Sequence, residues 1–160
     1  MTGGMLTGVG RIRRVVVAYL PPGTDVVRGI EEVARREGVG SGVILGGAAS
    51  LRRVTLRNCR NFKETLDLDD DYMVYGTTDG PYELVGITGN IATGADGCLS
   101  VHLHAVVSAG EPATATYGGH LLAAEIYTLG EVAIAEAEGF ALQRLVDPVT
   151  KVLHLVPRVE

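Results

Sequence analysis

Hydrophobic and polar positions divide the chain into short extended runs and one helical stretch. Val15-Val16-Val17-Ala18-Tyr19, within Arg13 to Leu20, is a β-branched run suited to a buried strand, and Pro21-Pro22-Gly23 stops it. Val26, Val27, Ile30, Val33 and Ala34 then recur at helical spacing. Thr24 or Asp25 can cap the start and Gly38 stands where a left-handed terminating residue is expected, so a helix is predicted from about Asp25 to Glu37. Val43-Ile44-Leu45 predicts a second strand entering Gly46-Gly47-Ala48-Ala49-Ser50, and Arg53-Val54-Thr55-Leu56-Arg57 a third. Tyr72 to Tyr75 reads as a short strand, and Pro81-Tyr82 opens another through Ile91. Ala95-Asp96-Gly97 is a hairpin turn feeding a strand from Cys98 to Val107. Leu121 to Glu138 is open: its Leu-Ala-Glu content favours helix, while Thr128-Leu129-Gly130 divides it and Val132, Ile134 and Ala135 also suit a buried strand. Phe140 to Val146 is ended by Asp147-Pro148, and Lys151 to Val156 predicts a last strand.

Chemistry enters at Val101-His102-Leu103-His104-Ala105. In a strand, alternate side chains share a face, so His102 and His104 project together, with Cα atoms roughly 6.5–7 Å apart. That separation lets two imidazole nitrogens converge on a zinc-sized ion about 2.0–2.1 Å from each. His120 could supply a third nitrogen from a neighbouring strand or subunit, and Gly118-Gly119 before it removes side chains that would block close approach. A His-x-His in a strand also occurs simply facing solvent or hydrogen-bonded to backbone. Three of the four histidines fall within nineteen residues, however, and an antiparallel turn would bring their segments together. His154, between Leu153 and Leu155, reads as an ordinary strand histidine.

Composition narrows the class. At 160 residues and 46% hydrophobic content the chain suits one globular domain, with Met1 to Gly10 as a flexible tail, Met5 as a natural start, and the domain over residues 11–160. The net charge of −5 opposes nonspecific affinity for DNA or an anionic membrane. Arginines cluster at Arg11, Arg13 and Arg14 and at Arg52, Arg53, Arg57 and Arg60, but without the interleaved aromatics of a single-strand binder. Two cysteines, Cys59 and Cys98, allow one possible pair, which argues against a disulfide framework and makes a reducing, cytoplasmic setting the default expectation. No apolar run reaches membrane-span length. The glycines at Gly46-Gly47 lack the Gly-Lys-Ser/Thr ending of a phosphate loop, and Leu66 to Asp71 lacks the spaced ligands of a calcium loop and reads as a solvated acidic turn.

Several short motifs, in order, carry a resemblance. They are Leu20-Pro21-Pro22-Gly23-Thr24-Asp25, Leu45 to Leu51, Tyr82 to Ile91, His102-Leu103-His104, Gly118-Gly119-His120-Leu121, and Phe140 to Asp147 with Arg144. Together, from about Arg13 to Leu155, the chain resembles the plant-and-prokaryote conserved (PPC) domain family; Ala48-Ala49-Ser50 departs from the more usual glycine-alanine-leucine pattern. The resemblance implies an α/β (α+β) single compact domain with a largely antiparallel central sheet and few helices, assembled as a homotrimer. In the bacterial and archaeal branch, the positions matching His102, His104 and His120 are associated with zinc or a similar divalent transition metal. The plant branch lacks these histidines and carries AT-hook segments that contact DNA; this chain has the histidines and no Arg-Gly-Arg-Pro hook. The fold is also similar to that of acetolactate decarboxylase, which holds zinc with three histidines, although fold does not fix function.

Two function classes follow. One is a trimeric metal protein acting on a small carbonyl substrate as a hydrolase or lyase, with Glu83 of the family-like Tyr-Glu-Leu motif, and secondarily Glu125, as candidate proton-transfer or supporting carboxylates. Each of these acids also has an ordinary surface reading. The other is a non-enzymatic module binding DNA or a partner protein, with Arg52, Arg53 and Arg57 gathered from three chains onto one surface. A third use of the metal would be to link adjacent subunits.

Overall fold

The computed structural model describes residues 4–61, 69–111 and 115–159. The strands are β1 (Arg11–Leu20), β2 (Gly42–Cys59), β3 (Met73–Gly94), β4 (Leu99–Ala109), β5 (Thr116–Glu138), β6 (Phe140–Val146) and β7 (Leu153–Val159). Among the described residues one helix, α1 (Val26–Glu37), joins β1 to β2, and one 3₁₀ turn spans Asp70–Tyr72. Asp69 to Asp71, the described part of the acidic stretch, leads into and forms that turn; Leu66 to Leu68 lie outside the described residues.

Pairing is antiparallel except for a short parallel contact between β3 and β6. β5 pairs β2, β2 pairs β3, β3 pairs β4, and β4 returns to β5, so four strands close on themselves. Closure removes free edges from this part of the sheet. Along its other edge β5 meets β4 at residues 116–120 and β1 at residues 130–138. The start of the helix fills the gap between them. Asp25 caps α1 through Oδ1, which accepts from the Arg28 amide at 2.9 Å, while its Oδ2 accepts from the Ala124 amide at 2.9 Å. One short acid thus ends the orphan amides of a helix and continues a sheet edge. β1 and β2 both run antiparallel to β5, hence parallel to each other, an order that requires a crossover such as α1.

Val26, Ile30, Val33 and Ala34 of α1 pack into a core with Ile44, Leu51, Ile87, Leu103, Val107, Ile126 and Ile134. Gly38 ends the helix at φ +69°. The helix limits and the hairpin turn therefore match the sequence reading, the turn being closed by Gly97 donating to Gly94 at 3.0 Å.

The strands are longer than the patterns predict. The two runs at Val43–Leu45 and Arg53–Arg57 belong to one strand, as do Tyr72–Tyr75 (from Met73) and Pro81–Ile91. Glycines and bulges mark register shifts within these strands, between Ile44 and Gly46 and between Leu51 and Arg53, rather than their ends. The open stretch Leu121–Glu138 is strand throughout, flanked by partners on both edges for much of its length. The last strand starts at Leu153, two residues later than predicted, because Asp147 holds the preceding turn by accepting from the Val149 and Thr150 amides at 2.9 Å.

Candidate metal centre

β4 places the histidines by simple alternation. Leu103, Ala105 and Val107 are buried in the core, which leaves His102 and His104 on the opposite face. His104 is the cross-strand partner of His120, and His120 is in turn the partner of Arg57 on β2. Two glycine positions make this closeness feasible. A Cβ on Gly89 of β3, at φ +153°, would lie 2.0 Å from the His102 carbonyl oxygen, so only glycine lets β3 approach the histidine strand. A Cβ on Gly119 would meet the Asn58 amide group, 2.6 Å from Oδ1; that amide lies over Gly119 and donates to the Gly118 carbonyl at 3.0 Å.

The three imidazoles meet. Ring centroids are 5.3 Å apart for His102 and His104, 4.6 Å for His102 and His120, and 5.4 Å for His104 and His120. One nitrogen from each ring lies within 4.8 Å of the others. Nitrogens sharing a tetrahedral ion at about 2.0–2.1 Å would be about 3.4 Å apart, so ring rotations of about an ångström close the set. His154 is elsewhere, its Nε2 sharing a 2.8 Å hydrogen bond with Thr150 Oγ1.

A cavity of about 460 Å³ adjoins the rings, lined by His102, His120, Arg57, Arg144, Ser100 and, on its acidic side, Asp69 and Asp70. Among the described residues, the two buried side-chain nitrogens without a hydrogen-bond partner are His120 Nδ1 and Arg144 Nε, and both residues line this cavity. Buried polar atoms are nearly always paired, so an orphan nitrogen on an imidazole grouped with two others fits a ring that binds an electrophile. Burial pulls the His102 pKa down to about 4, with Arg144, His104 and Arg57 adding to the effect; burial and then Arg57 pull His120 to about 4. Both rings are therefore neutral near pH 7 and keep a lone pair for a metal ion. The donor set suits zinc or another borderline divalent ion.

The carboxylates lie apart from this centre. Glu83 is exposed on β3, opposite Ser108 of β4, four residues or about 13 Å along the strand from His104. Glu125 pairs with Arg52 at 3.2 Å. Arg144 entered the sequence reading only as part of the Phe140 to Asp147 motif, and its place at this cavity was not foreseen. It has the same alternation parity as buried Leu142, and an arginine on the buried side of a strand was the available signal.

A closed, mainly antiparallel sheet carrying three convergent histidines beside a polar cavity defines a small single-domain protein with a candidate mononuclear metal centre. The chain belongs to the Plants and Prokaryotes Conserved (PCC) domain family, whose profile matches residues 7–138. Solved structures of similar fold include a metal-containing protein from Archaeoglobus fulgidus, 23% identical at TM-score 0.80, covering 95% of this chain and 99% of that one. A plant- and prokaryote-conserved protein from Pyrococcus horikoshii is 24% identical at TM-score 0.77, with 93% and 96% covered. A candidate DNA-binding protein from Bacteroides thetaiotaomicron is 21% identical at TM-score 0.74, with 95% and 97% covered. A bifunctional protein GlmU from Synechococcus sp. (strain JA-3-3Ab) is 31% identical over 143 residues, which are 89% of this chain. The chain spans about a fifth of the length of the curated relatives it matches, 20% for that GlmU. Among the described residues no helix is long and apolar enough to cross a membrane.

Proposed function

We propose that this protein is a homotrimeric metalloprotein that holds zinc or another divalent transition ion through His102, His104 and His120 and acts as a hydrolase or lyase on a small carbonyl substrate. The observation that carries the reading is the orphan His120 Nδ1 within a group of three imidazoles whose nitrogens lie within 4.8 Å. Three protein ligands leave a coordination position open, as catalytic sites do. When bound, the ion supplies Lewis acidity toward a carbonyl or a water. The chain's part is to keep His102 and His120 neutral by burial and to offer one walled cavity beside them. Proton transfer by Glu83 requires a second subunit to bring it to the cavity, since within one chain it stands along the strand from the histidines. The metal-containing relative from Archaeoglobus fulgidus supports the reading.

Assembly is supported by β1. It is an edge strand, and Val15, Val17 and Tyr19 are 52%, 75% and 61% exposed. An apolar edge of this kind asks for a partner. Light scattering should give three times the 16.8 kDa chain mass, and should still do so after chelation if the metal is catalytic rather than a link between subunits.

The test is metal analysis of purified protein beside His102→Ala, His104→Ala and His120→Ala. Near one ion per chain is expected in the wild type, with at least about a tenfold loss of affinity in each variant. Retention of the ion by all three variants would refute the site. DNA binding, the alternative suggested by the Bacteroides relative, is disfavoured by arginine pairing: Arg52 is held by Glu125 and Arg53 lies 3.6 Å from Asp79.

A further inference from the structure

We infer that the cavity beside the histidines is a receptor for a small monocarboxylate, gripped by the Arg144 guanidinium while the group next to the carboxylate faces the imidazoles. The inference rests on the metal reading above and gives its substrate a class, a 2-oxo or 2-hydroxy acid.

Arg144 is 5% exposed, and among the described residues no carboxylate ion-pairs with it. Its Nη2 donates to Asn90 Oδ1, a neutral acceptor on the residue that pairs with His102 across the sheet, and its Nε has no partner. A buried guanidinium without a counter-ion is costly, and burial lowers its pKa from the usual value, yet arginine stays protonated. Asn90 thus holds one Nη–H, and Arg144, whose Nε–H is unsatisfied among the described residues, lines the cavity. A carboxylate is the planar acceptor that fits such a fork.

The surrounding charge favours an anion, and the planar fork of Arg144 favours a carboxylate among anions. His102 and His120 add no charge when neutral, and Arg57 stands on the same cavity, so the basic side carries two guanidiniums. Any cation held by the three imidazoles adds to that excess. Asp69 and Asp70 line the acidic side, with Asp70 Oδ1 accepting from Tyr75 Oη at 2.9 Å, and they offset part of that excess. A 2-oxo acid presents its carboxylate to Arg144 and its carbonyl to the histidines.

Calorimetry on the intact, cobalt-loaded protein tests this, using pyruvate, the neutral analogue 2,3-butanedione and inorganic phosphate, with cobalt content measured on each sample. Pyruvate should bind at least about tenfold more tightly than butanedione, and Arg144→Gln should weaken pyruvate about tenfold or more without changing cobalt content. Butanedione affinity should be the same in wild type and variant. Equal affinity for pyruvate and butanedione, unchanged pyruvate binding in Arg144→Gln, or a preference for phosphate would overturn the inference. If Arg144→Gln does not fold, the wild-type comparison of the three ligands decides, together with Arg57→Gln, which should weaken pyruvate severalfold and which contradicts the inference if it does not. Failure to take up cobalt defeats the metal reading alone; pyruvate heats on that metal-free protein then still decide whether Arg144 grips a carboxylate.

Discussion

Glu136 and Arg144 are both buried charged residues on strands, 6% and 5% exposed, and they are treated in opposite ways. Glu136 on β5 accepts from Arg14 Nε at 2.5 Å and from Arg13 Nη1 at 3.3 Å, and Arg11 and Glu138 continue the pairing outward at 2.9 Å. Every charge in that ladder has an opposite neighbour across the β1–β5 seam. Among the described residues Arg144 has a neutral amide as partner and an orphan Nε. Desolvating a charge is repaid only when partners replace the lost water. The first region is complete as folded, and the second awaits something from outside.

Opposite signs should follow on stability. Glu136→Leu removes the partner that holds Arg13 and Arg14 to the seam. Because those arginines remain reachable by solvent, 65% and 43% exposed at the side chain, the loss should be about 2 kcal/mol, below that for a fully buried pair. Arg144→Met, in ligand-free protein, should instead stabilise by about 1 kcal/mol, since it deletes an uncompensated buried charge. Urea titrations of the two variants check both, and equal destabilisation would erase the distinction between the regions.

Much of this was legible in advance. Alternation placed His102 and His104 on one face, and helical spacing with Asp25 and Gly38 at the ends located α1. Strand length was not legible, because Gly46-Gly47 and Thr128-Leu129-Gly130 resemble boundaries locally, yet the chain continues through them once β2, β5 and their neighbours supply hydrogen bonds on both edges. The Ala- and Glu-rich end of β5 shows the same override of propensity by tertiary pairing. The parity of Arg144 with Leu142 marks it as buried, but that no acid among the described residues pairs with it is a property of the folded neighbourhood.

A smaller effect separates the regions by pH. In metal-free protein His102 and His120 have folded pKa values of about 4, below the 6.5 of an unperturbed imidazole. Between those values the unfolded chain binds more protons, so the stability from these two neutral rings is full above about pH 6.5 and is lost as pH falls toward about 4. Glu138, held below its ordinary range by Arg11, shifts the seam only at lower pH. Thermal melts of metal-free wild type should therefore soften across pH 6.5 to 4, and His102→Ala with His120→Ala should flatten that slope. A slope unchanged by both substitutions would place the pH dependence elsewhere.

The central claim is that three imidazoles meet on a single ion. X-ray absorption at the zinc edge of the zinc-loaded protein measures it most directly. The account predicts a shell containing three imidazole nitrogens at about 2.0–2.1 Å with a light atom completing the set; a shell of sulfur or of oxygen alone, or zinc bound with one imidazole only, would contradict it.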